Sequence, residues 1–198
     1  MSAPVAVNIL WAGWYATWIA AGVFSNRTAT QMRTDMFGLH RYLASIGSLM
    51  LFVPAGVGEP WLNSALLGWL TQRLWREPGW IAWALLGGVA TAFGFCWWAR
   101  LHLGRLWSGL VTLKEGHRII DTGPYALVRH PIYFGVMVAA LLTALIRASG
   151  PALAGFALIS LGFSITARIE EGFLREQLGP DAYDDYSRRV PMLLPGIG

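Results

Sequence analysis

The fold is decided by VRHPIYFGVMVAALLTALI, residues 128–146, together with RASG at 147–150 and PALAGFALISLGFSITA at 151–167. Both long runs are apolar, and each approaches the ~20 residues that a helix needs to cross a bilayer core of about 30 Å. The connection between them is short, and Pro151 suits a first helical position, where its missing N–H costs nothing. The two runs therefore predict an antiparallel helical hairpin in a membrane.

The composition of the whole chain agrees with a membrane location. Of its 198 residues, 55% are hydrophobic and only 13% are charged, whereas roughly 25% are charged in an ordinary soluble domain. Cys96 is the lone cysteine, so no disulfide framework is expected. The histidines show no metal-ligand spacing, and the glycines show no nucleotide-binding fingerprint. We therefore expect no metal, no Rossmann domain and no nucleic-acid partner.

Five apolar segments are candidate spans, and one further segment is ambiguous. The apolar residues of the segment Trp61–Trp75 recur at helical spacing, but the segment is short and also carries polar residues, so we interpret it as a helix lying in the interface rather than a sixth span. The predicted fold is an all-α integral membrane protein of one domain, 1–198, with its N-terminal helices in 1–99 and its functional region in 100–198. The five candidate spans are Val5–Phe24, Tyr42–Val57, Trp80–Ala99, Val128–Ile146 and Pro151–Ala167.

The basic residues indicate the orientation. With five spans, twelve Lys and Arg fall on one side of the membrane and three on the other. Since basic loops stay in the cytoplasm, the N-terminus is predicted outside and the C-terminus inside a multi-pass cell membrane protein, the inner membrane if the source is bacterial. This orientation brings the loop that contains Arg129 and the C-terminal tail into the same compartment.

Two polar clusters flank the hairpin on that side. Arg129-His130 lies between Tyr125 and Tyr133, and Glu170-Glu171 follows the last span. Charged residues at the mouth of a membrane helix are costly unless they line a cavity or a site. The alternatives are an interfacial anchor for the first cluster and a solvated helix end for the second. Together the clusters favour a membrane-embedded site on the cytoplasmic side, but they do not identify its reaction.

The second half of the chain, about residues 100–195, resembles the isoprenylcysteine carboxyl methyltransferase family. These are integral membrane enzymes that use S-adenosylmethionine without a Rossmann domain. The first hundred residues resemble the family only in being hydrophobic with the same helix count. The matching pieces, in order, are Leu103–Ser108, Gly116–Ile120, Gly123–Tyr125, Arg129–Tyr133, Glu170-Glu171, Leu174, Leu178-Gly179, Tyr183, Tyr186, Val190-Pro191 and Leu194-Pro195.

The resemblance implies roles for a subset of these residues. Arg129 and Glu171 would act in catalysis, and Arg168 would bind the substrate. Arg168 departs from the family pattern, because the usual spacing of the substrate-binding arginine falls here on Thr166. The cofactor-binding residues would be His117, Arg118, Ile119, Ile120, Tyr125, His130, Pro131, Ile132, Tyr133 and Glu170.

The implied reaction is direct transfer of a methyl group to a lipophilic acceptor delivered from the membrane. A carboxylate acceptor, such as that of an isoprenylcysteine-like compound, is ionised at neutral pH and needs no general base. An amine acceptor, as in phospholipid methylation, would need a base, for which Glu171 is the candidate. A sterol-type membrane reductase that uses NADPH is a further alternative, disfavoured by Pro131-Ile132 after Arg129-His130. No obligate protein partner is inferred.

Overall fold

The structure is a computed structural model that describes residues 1–22, 28–31, 38–53, 72–107, 112–114 and 119–196. Within these residues the chain is predominantly helical, and one short pair of strands accompanies the helices. The elements in chain order are α1 (Ala3–Ala21), β1 (Thr28–Gln31), α2 (Gly38–Leu51), α3 (Gly79–Leu103), β2 (Thr112–Lys114), α4 (Pro131–Arg147), α5 (Gly150–Leu178) and α6 (Pro180–Arg189).

Each of the five predicted apolar segments overlaps one of the first five helices, and residues 23–24 of the first segment and 54–57 of the second lie outside the described residues. Two helical segments, Gly79–Leu106 and Gly150–Leu178, are long and apolar enough to cross a membrane, and Pro131–Arg147 is a shorter apolar helix. The five-span count therefore stays a prediction. Of the ambiguous segment Trp61–Trp75, residues 61–71 lie outside the described residues, and the remaining residues, 72–75, are not helical.

The hairpin of α4 and α5 forms as predicted, and its ends have local causes. Helix α4 begins at Pro131. Proline is favoured at the first position of a helix, because it lacks the backbone N–H and its ring would clash with a preceding helical turn. The Ser149 side chain accepts a hydrogen bond from the backbone N–H of Ala152 and caps α5. Gly179, at φ +95°, ends α5 in a conformation that favours glycine. As a result α5 extends beyond the apolar segment and carries the acidic pair on its last turns.

Two antiparallel helix pairs make up the bundle, α2 with α5 and α3 with α4. A Cβ atom at Gly47 of α2 would lie 2.6 Å from the Gly155 carbonyl oxygen of α5, so only glycine permits this approach. On the other pair, Gly135 of α4 faces the Cys96 thiol of α3. Small residues that let helices approach closely are typical of helix packing in membranes.

Helix α1 packs against α3 and α4 through aromatic rings. Trp14 stacks on Phe93 with ring centroids 4.7 Å apart, and Trp11 meets the same ring edge-on at 4.8 Å. The Trp11 indole N–H also donates to the Thr143 hydroxyl of α4 at 3.0 Å. At the far end of α1, Arg100 of α3 donates to the Ala21 carbonyl oxygen. The carboxyl ends of α1 and α3 therefore lie at the same end of the bundle.

The strands join the loops that follow α1 and α3. They pair antiparallel, with Gln31 opposite Thr112 and Thr28 opposite Lys114, and the register shifts between Thr28 and Thr30. A sequence dominated by apolar helical runs did not signal this pairing. It lies at the end of the bundle where α1 and α3 finish.

Candidate active site

A cavity opens where the carboxyl end of α3, the segment before α4, the last turns of α5 and α6 meet. The cavity is partly open to solvent, and the non-atom space within it and its mouth amounts to about 510 Å³. Its wall combines charged, aromatic and aliphatic side chains. The lining residues are Leu103, Ile119, Ile120, Tyr125, Arg129, His130, Glu170, Leu174, Leu178, Tyr183 and Tyr186.

Arg129 ties three parts of the site together. Its Nε and Nη2 donate to the two carboxylate oxygens of Glu171, at 2.6 and 3.0 Å, in a fork geometry that fixes both side chains. Its Nη1 donates to the backbone carbonyl oxygens of Ser187 and Val190, at 2.8 and 2.6 Å. The Arg129 and Glu171 side chains are only 11% and 18% exposed. Since every guanidinium nitrogen is engaged, Arg129 acts as a clamp between α5 and the C-terminal tail.

The backbone of the tail completes this clamp. The N–H groups of Arg129 and His130 donate to the carbonyl oxygens of Pro191 and Met192, at 2.9 and 3.1 Å. The segment that leads into α4 is thereby held against the tail, and His130, the residue before Pro131, has φ −120° and ψ 65°. This places the His130 ring against the acidic pair of α5.

The adjacent glutamates have different surroundings. Glu171 accepts from Arg129, and its Oε1 lies 3.1 Å from His130 Nε2. Glu170 accepts a hydrogen bond from the Tyr133 hydroxyl at 2.8 Å, and its Oε2 lies 3.6 Å from His130 Nδ1. Tyr133 stacks in parallel on His130, with ring centroids 5.3 Å apart. The Glu171 carboxylate is therefore occupied by Arg129, whereas Glu170 lines the cavity and accepts a hydrogen bond from the Tyr133 hydroxyl.

Three buried tyrosines form the aromatic part of the wall. Burial raises the pKa values of Tyr125, Tyr183 and Tyr186 above the ordinary phenol value, so all three are neutral hydrogen-bond donors at neutral pH. The negative charge of Glu170 adds to the increase at Tyr125, and that of Glu171 adds to it at Tyr183. The Tyr186 hydroxyl donates to the Tyr125 carbonyl oxygen at 2.8 Å, which joins α6 to the opposite wall.

A tight turn positions Tyr125. Gly123 has φ +59°, and a Cβ there would lie 2.8 Å from the His102 ring, so the turn requires glycine. His102 Nε2 in turn lies 2.9 Å from the Thr122 hydroxyl. The last turn of α3 thus holds the short helical turn that carries Tyr125.

The structure brings most of the predicted site residues together. Arg129, Ile119, Ile120, Tyr125, His130 and Glu170 line the cavity, and Tyr133 and Glu171 contact its lining residues. Pro131 and Ile132 form the first turn of α4, where the Ile132 carbonyl oxygen accepts from the Cys96 thiol at 3.6 Å. His117 and Arg118 lie outside the described residues, so their predicted roles are untested.

Arg168 and Thr166 are placed away from the described cavity. Arg168 is exposed on α5, and Thr166 donates to the Gly162 carbonyl oxygen of its own helix at 2.8 Å. The predicted substrate role of Arg168 therefore has no contact among the described residues that supports it, and it stays a prediction.

Sequence reasoning did not assign five lining residues to the site: Leu103, Leu174, Leu178, Tyr183 and Tyr186. All five stand in the segments that carry the family resemblance, which was the available signal. Tyr183 and Tyr186 are three apart on α6, so both face the same side of that helix. Only the fold of α6 back over α5 shows that this side closes the cavity.

Comparison with known proteins places this site in context. Residues 82–175 match the isoprenylcysteine carboxyl methyltransferase (ICMT) family. The chain is 32% identical over 102 residues to the protein-S-isoprenylcysteine O-methyltransferase of Schizosaccharomyces pombe, which covers 50% of this chain and 43% of that protein.

Two further relatives are named for metal resistance. The chain is 27% identical over 147 residues to the nickel-cobalt-cadmium resistance protein of Alcaligenes xylosoxydans xylosoxydans, covering 72% of this chain and 64% of that protein. It is 33% identical over 101 residues to the cobalt-zinc-cadmium resistance protein of Cupriavidus metallidurans, covering 48% and 44%. The matches thus span between 43% and 64% of the length of these three relatives.

The family match runs from α3 through the acidic pair of α5, which is the part of the chain that builds most of the cavity. The apolar helices of the chain are consistent with a membrane protein. Over residues 82–175 the chain is therefore similar to the isoprenylcysteine carboxyl methyltransferase family.

Proposed function

We propose that this chain is a membrane methyltransferase that binds S-adenosylmethionine in the described cavity and methylates a carboxylate on a lipophilic acceptor. The observation that carries the proposal is the cavity itself. It combines the Glu170 carboxylate and the His130 ring with tyrosine and leucine side chains, and eight of its eleven lining residues lie in the segment 82–175 that matches the family.

The residues of the cavity fit the cofactor by their chemistry. An adenine ring suits the apolar and aromatic side chains of Ile119, Tyr125 and Tyr183. The Glu170 carboxylate can accept from ribose hydroxyls or an ammonium group, and the tyrosine faces favour a sulfonium cation. When bound, the cofactor supplies an electrophilic methyl group. His117 and Arg118 are further candidate contacts from the sequence.

The state of Glu171 favours a carboxylate acceptor. Glu171 accepts hydrogen bonds from Nε and Nη2 of Arg129, and its Oε1 lies close to His130 Nε2. A carboxylate stabilised by such partners is a weak base. An amine acceptor must lose a proton before attack, whereas a carboxylate is ionised at neutral pH. The protein would contribute positioning and exclusion of water rather than base catalysis. Arg129 and Glu171 would then be positioning residues that hold His130 and Glu170.

The relatives named for metal resistance do not lead us to propose a metal site. Among the described residues no group of three His, Cys, Asp or Glu side chains could hold a metal ion. The cavity offers adjacent glutamates and one histidine, but Glu171 is occupied by Arg129. Methyl transfer therefore accounts for more of the observed geometry.

We further propose five spans with the N-terminus outside and the cavity in the cytoplasm. The contact between Arg100 and Ala21 supports parallel α1 and α3. At the opposite end, Arg147 of α4 donates to the Asn8 side chain near the start of α1. The start of α1 is thus opposite the cavity, as an odd number of spans requires.

The test is binding and turnover with the purified protein. Calorimetry should detect binding of S-adenosylmethionine, and labelled methyl should appear on an S-farnesylcysteine-type carboxylate. Glu170→Gln should weaken cofactor binding by about 10- to 150-fold, the effect of one hydrogen bond to a charged group. Glu176→Gln, on an exposed residue of the same helix, is the matched control and should bind like the wild type. Binding of NADPH instead of S-adenosylmethionine would contradict the proposal.

The pH dependence distinguishes the acceptors. With a carboxylate acceptor, turnover should be nearly flat between about pH 6 and 9, because no proton leaves before attack. A steep rise with pH that Glu171→Gln abolishes would instead assign the chain to amine methylation.

A further inference from the structure

A groove runs between α1 and α2 on the outside of the bundle. Helix α1 packs on α3 and α4, while α2 packs on α5 and α4, so α4 lies beneath the space that separates them. Asn8, Trp11, Ala12 and Tyr15 of α1 and Phe52 line this space, which has a volume of about 520 Å³ including space open to solvent. Ala12 and Tyr15 are exposed. An apolar chain of lipid dimensions could lie along this wall.

A buried cation lies at one end of the groove. Thr143 and Arg147 are four residues apart on α4 and share a face, and Thr143 accepts the Trp11 indole N–H under the groove. Arg147 is only 7% exposed. Its guanidinium donates to the Asn8 side chain and lies 5.7 Å from the centre of the Phe52 ring. Both of these partners line the groove, so the guanidinium lies directly behind the part of its wall that Asn8 and Phe52 form.

The charge of Arg147 lacks an acidic partner among the described residues. Its partners there are a neutral amide and an aromatic ring, and its Nε is buried without a hydrogen bond. Glu77, before α3, pairs with Arg73 at 2.6 Å. A buried charge is costly unless an anion and hydrogen bonds compensate it. An external anion would supply what the described part of the chain does not.

The position of Arg147 separates it from the cavity. It ends α4, whereas His130 precedes the first residue of the same helix, so the two lie about 25 Å apart at a rise of ~1.5 Å per residue. That distance is close to the thickness of a bilayer core, about 30 Å. The cation therefore belongs to the opposite membrane surface and takes no part in chemistry at the cavity.

We propose that the groove binds an anionic phospholipid, with its phosphate on Arg147 and Asn8 and one acyl chain along Trp11, Ala12 and Phe52. A phosphate matches the guanidinium fork and accepts several hydrogen bonds. The apolar wall then requires an attached acyl chain, which a free phosphate ion lacks. This site is independent of methyl transfer, so its test can fail while the proposed function stands.

The test is native mass spectrometry of the full chain released from nanodiscs that contain equal phosphatidylglycerol and phosphatidylcholine. The wild type should retain phosphatidylglycerol preferentially, by about tenfold or more, as expected for a charge-assisted contact. Arg147→Gln should abolish the preference. Ala12→Phe should fill the groove and reduce retention of both lipids. Arg73→Gln, at the same end of the bundle but paired with Glu77, is the matched control and should keep the preference.

Three results would overturn the proposal. The wild type could retain no lipid or show no preference for phosphatidylglycerol, Arg147→Gln could keep the wild-type preference, or Arg73→Gln could lose the preference as completely as Arg147→Gln. Added inorganic phosphate that displaces phosphatidylglycerol completely would show an ion site without a lipid site. If Arg147→Gln does not fold, Ala12→Phe decides, because phosphatidylglycerol should raise the melting temperature of the wild type and not that of this variant.

Discussion

The two ends of α4 each hold a largely buried arginine, and their partners differ. Arg129, before the helix, is bound by the Glu171 carboxylate and by two backbone carbonyl oxygens. Arg147, at the other end, has an amide and an aromatic ring as its described partners. In a low-dielectric environment the first charge is compensated by a carboxylate, whereas the second has no acidic partner among the described residues. The same residue type is thus a structural clamp at one end and a candidate ligand site at the other.

The largest expected effect comes from breaking the Arg129 clamp. Arg129→Met should leave Glu171 buried without a cation and release the tail, at a cost of about 3–5 kcal/mol in the free energy of unfolding. Denaturant titration of the purified protein measures this. Arg129→Lys should recover part of the loss, since lysine cannot make the two-pronged contact. Wild-type stability in Arg129→Met would show that the clamp contributes nothing.

The next effect concerns the tyrosines of the cavity. Tyr186→Phe removes the hydrogen bond to the Tyr125 carbonyl oxygen and should cost about 1–3 kcal/mol in the free energy of unfolding at pH 8. Burial raises the pKa of Tyr186, so its stabilising contribution is complete below the unfolded value of about 10 and is lost as pH rises above it.

The pH dependence of melting therefore checks the burial of these phenols. Between about pH 10 and 11 each buried tyrosine lowers stability by up to about 1.4 kcal/mol per pH unit. Tyr186→Phe should show a smaller slope than the wild type in that window and a parallel curve below about pH 9. Equal slopes above pH 10 would contradict the burial of Tyr186.

A smaller effect is expected at the other end of α4. Arg147→Met removes a cation that has no acidic partner in the described part of the chain, and the exposed Asn8 can find another partner. We expect a cost of about 0.5–1.5 kcal/mol in the free energy of unfolding, well below that of Arg129→Met. The two variants measured side by side in a zwitterionic detergent test the comparison directly. Equal costs would refute the distinction between Arg129, which pairs with a carboxylate, and Arg147, for which the described residues supply none.

The smallest effect should come from Arg168→Gln. The side chain is exposed on α5, so stability should change by less than about 0.5 kcal/mol, and the KM for the acceptor should stay within about threefold of the wild-type value. An increase in KM of about tenfold or more would restore the substrate role that the family resemblance implies for Arg168.

The helices and the participants in the site could be predicted from the sequence in large part. Apolar runs and proline and glycine positions located the five main helices, and the end of α5 at Gly179 follows from a local stop signal. The polar clusters at 129–130 and 170–171 were identified because charge beside a membrane helix is costly. The roles of Arg129 and Glu171 were not predictable, because a pattern shows which groups are present and not which of them bind each other.

The sequence by itself therefore determined the apolar helices, the hairpin and the set of polar residues at one end of it, because these depend on local composition and spacing. Only the tertiary structure decided that the C-terminal tail returns to Arg129, that α6 brings Tyr183 and Tyr186 over the cavity, and that Glu170 rather than Glu171 is left available. Each of these contacts joins residues distant in the chain, so each depends on how the helices pack. The same packing separates α1 from α2 and leaves Arg147 at the end of a groove.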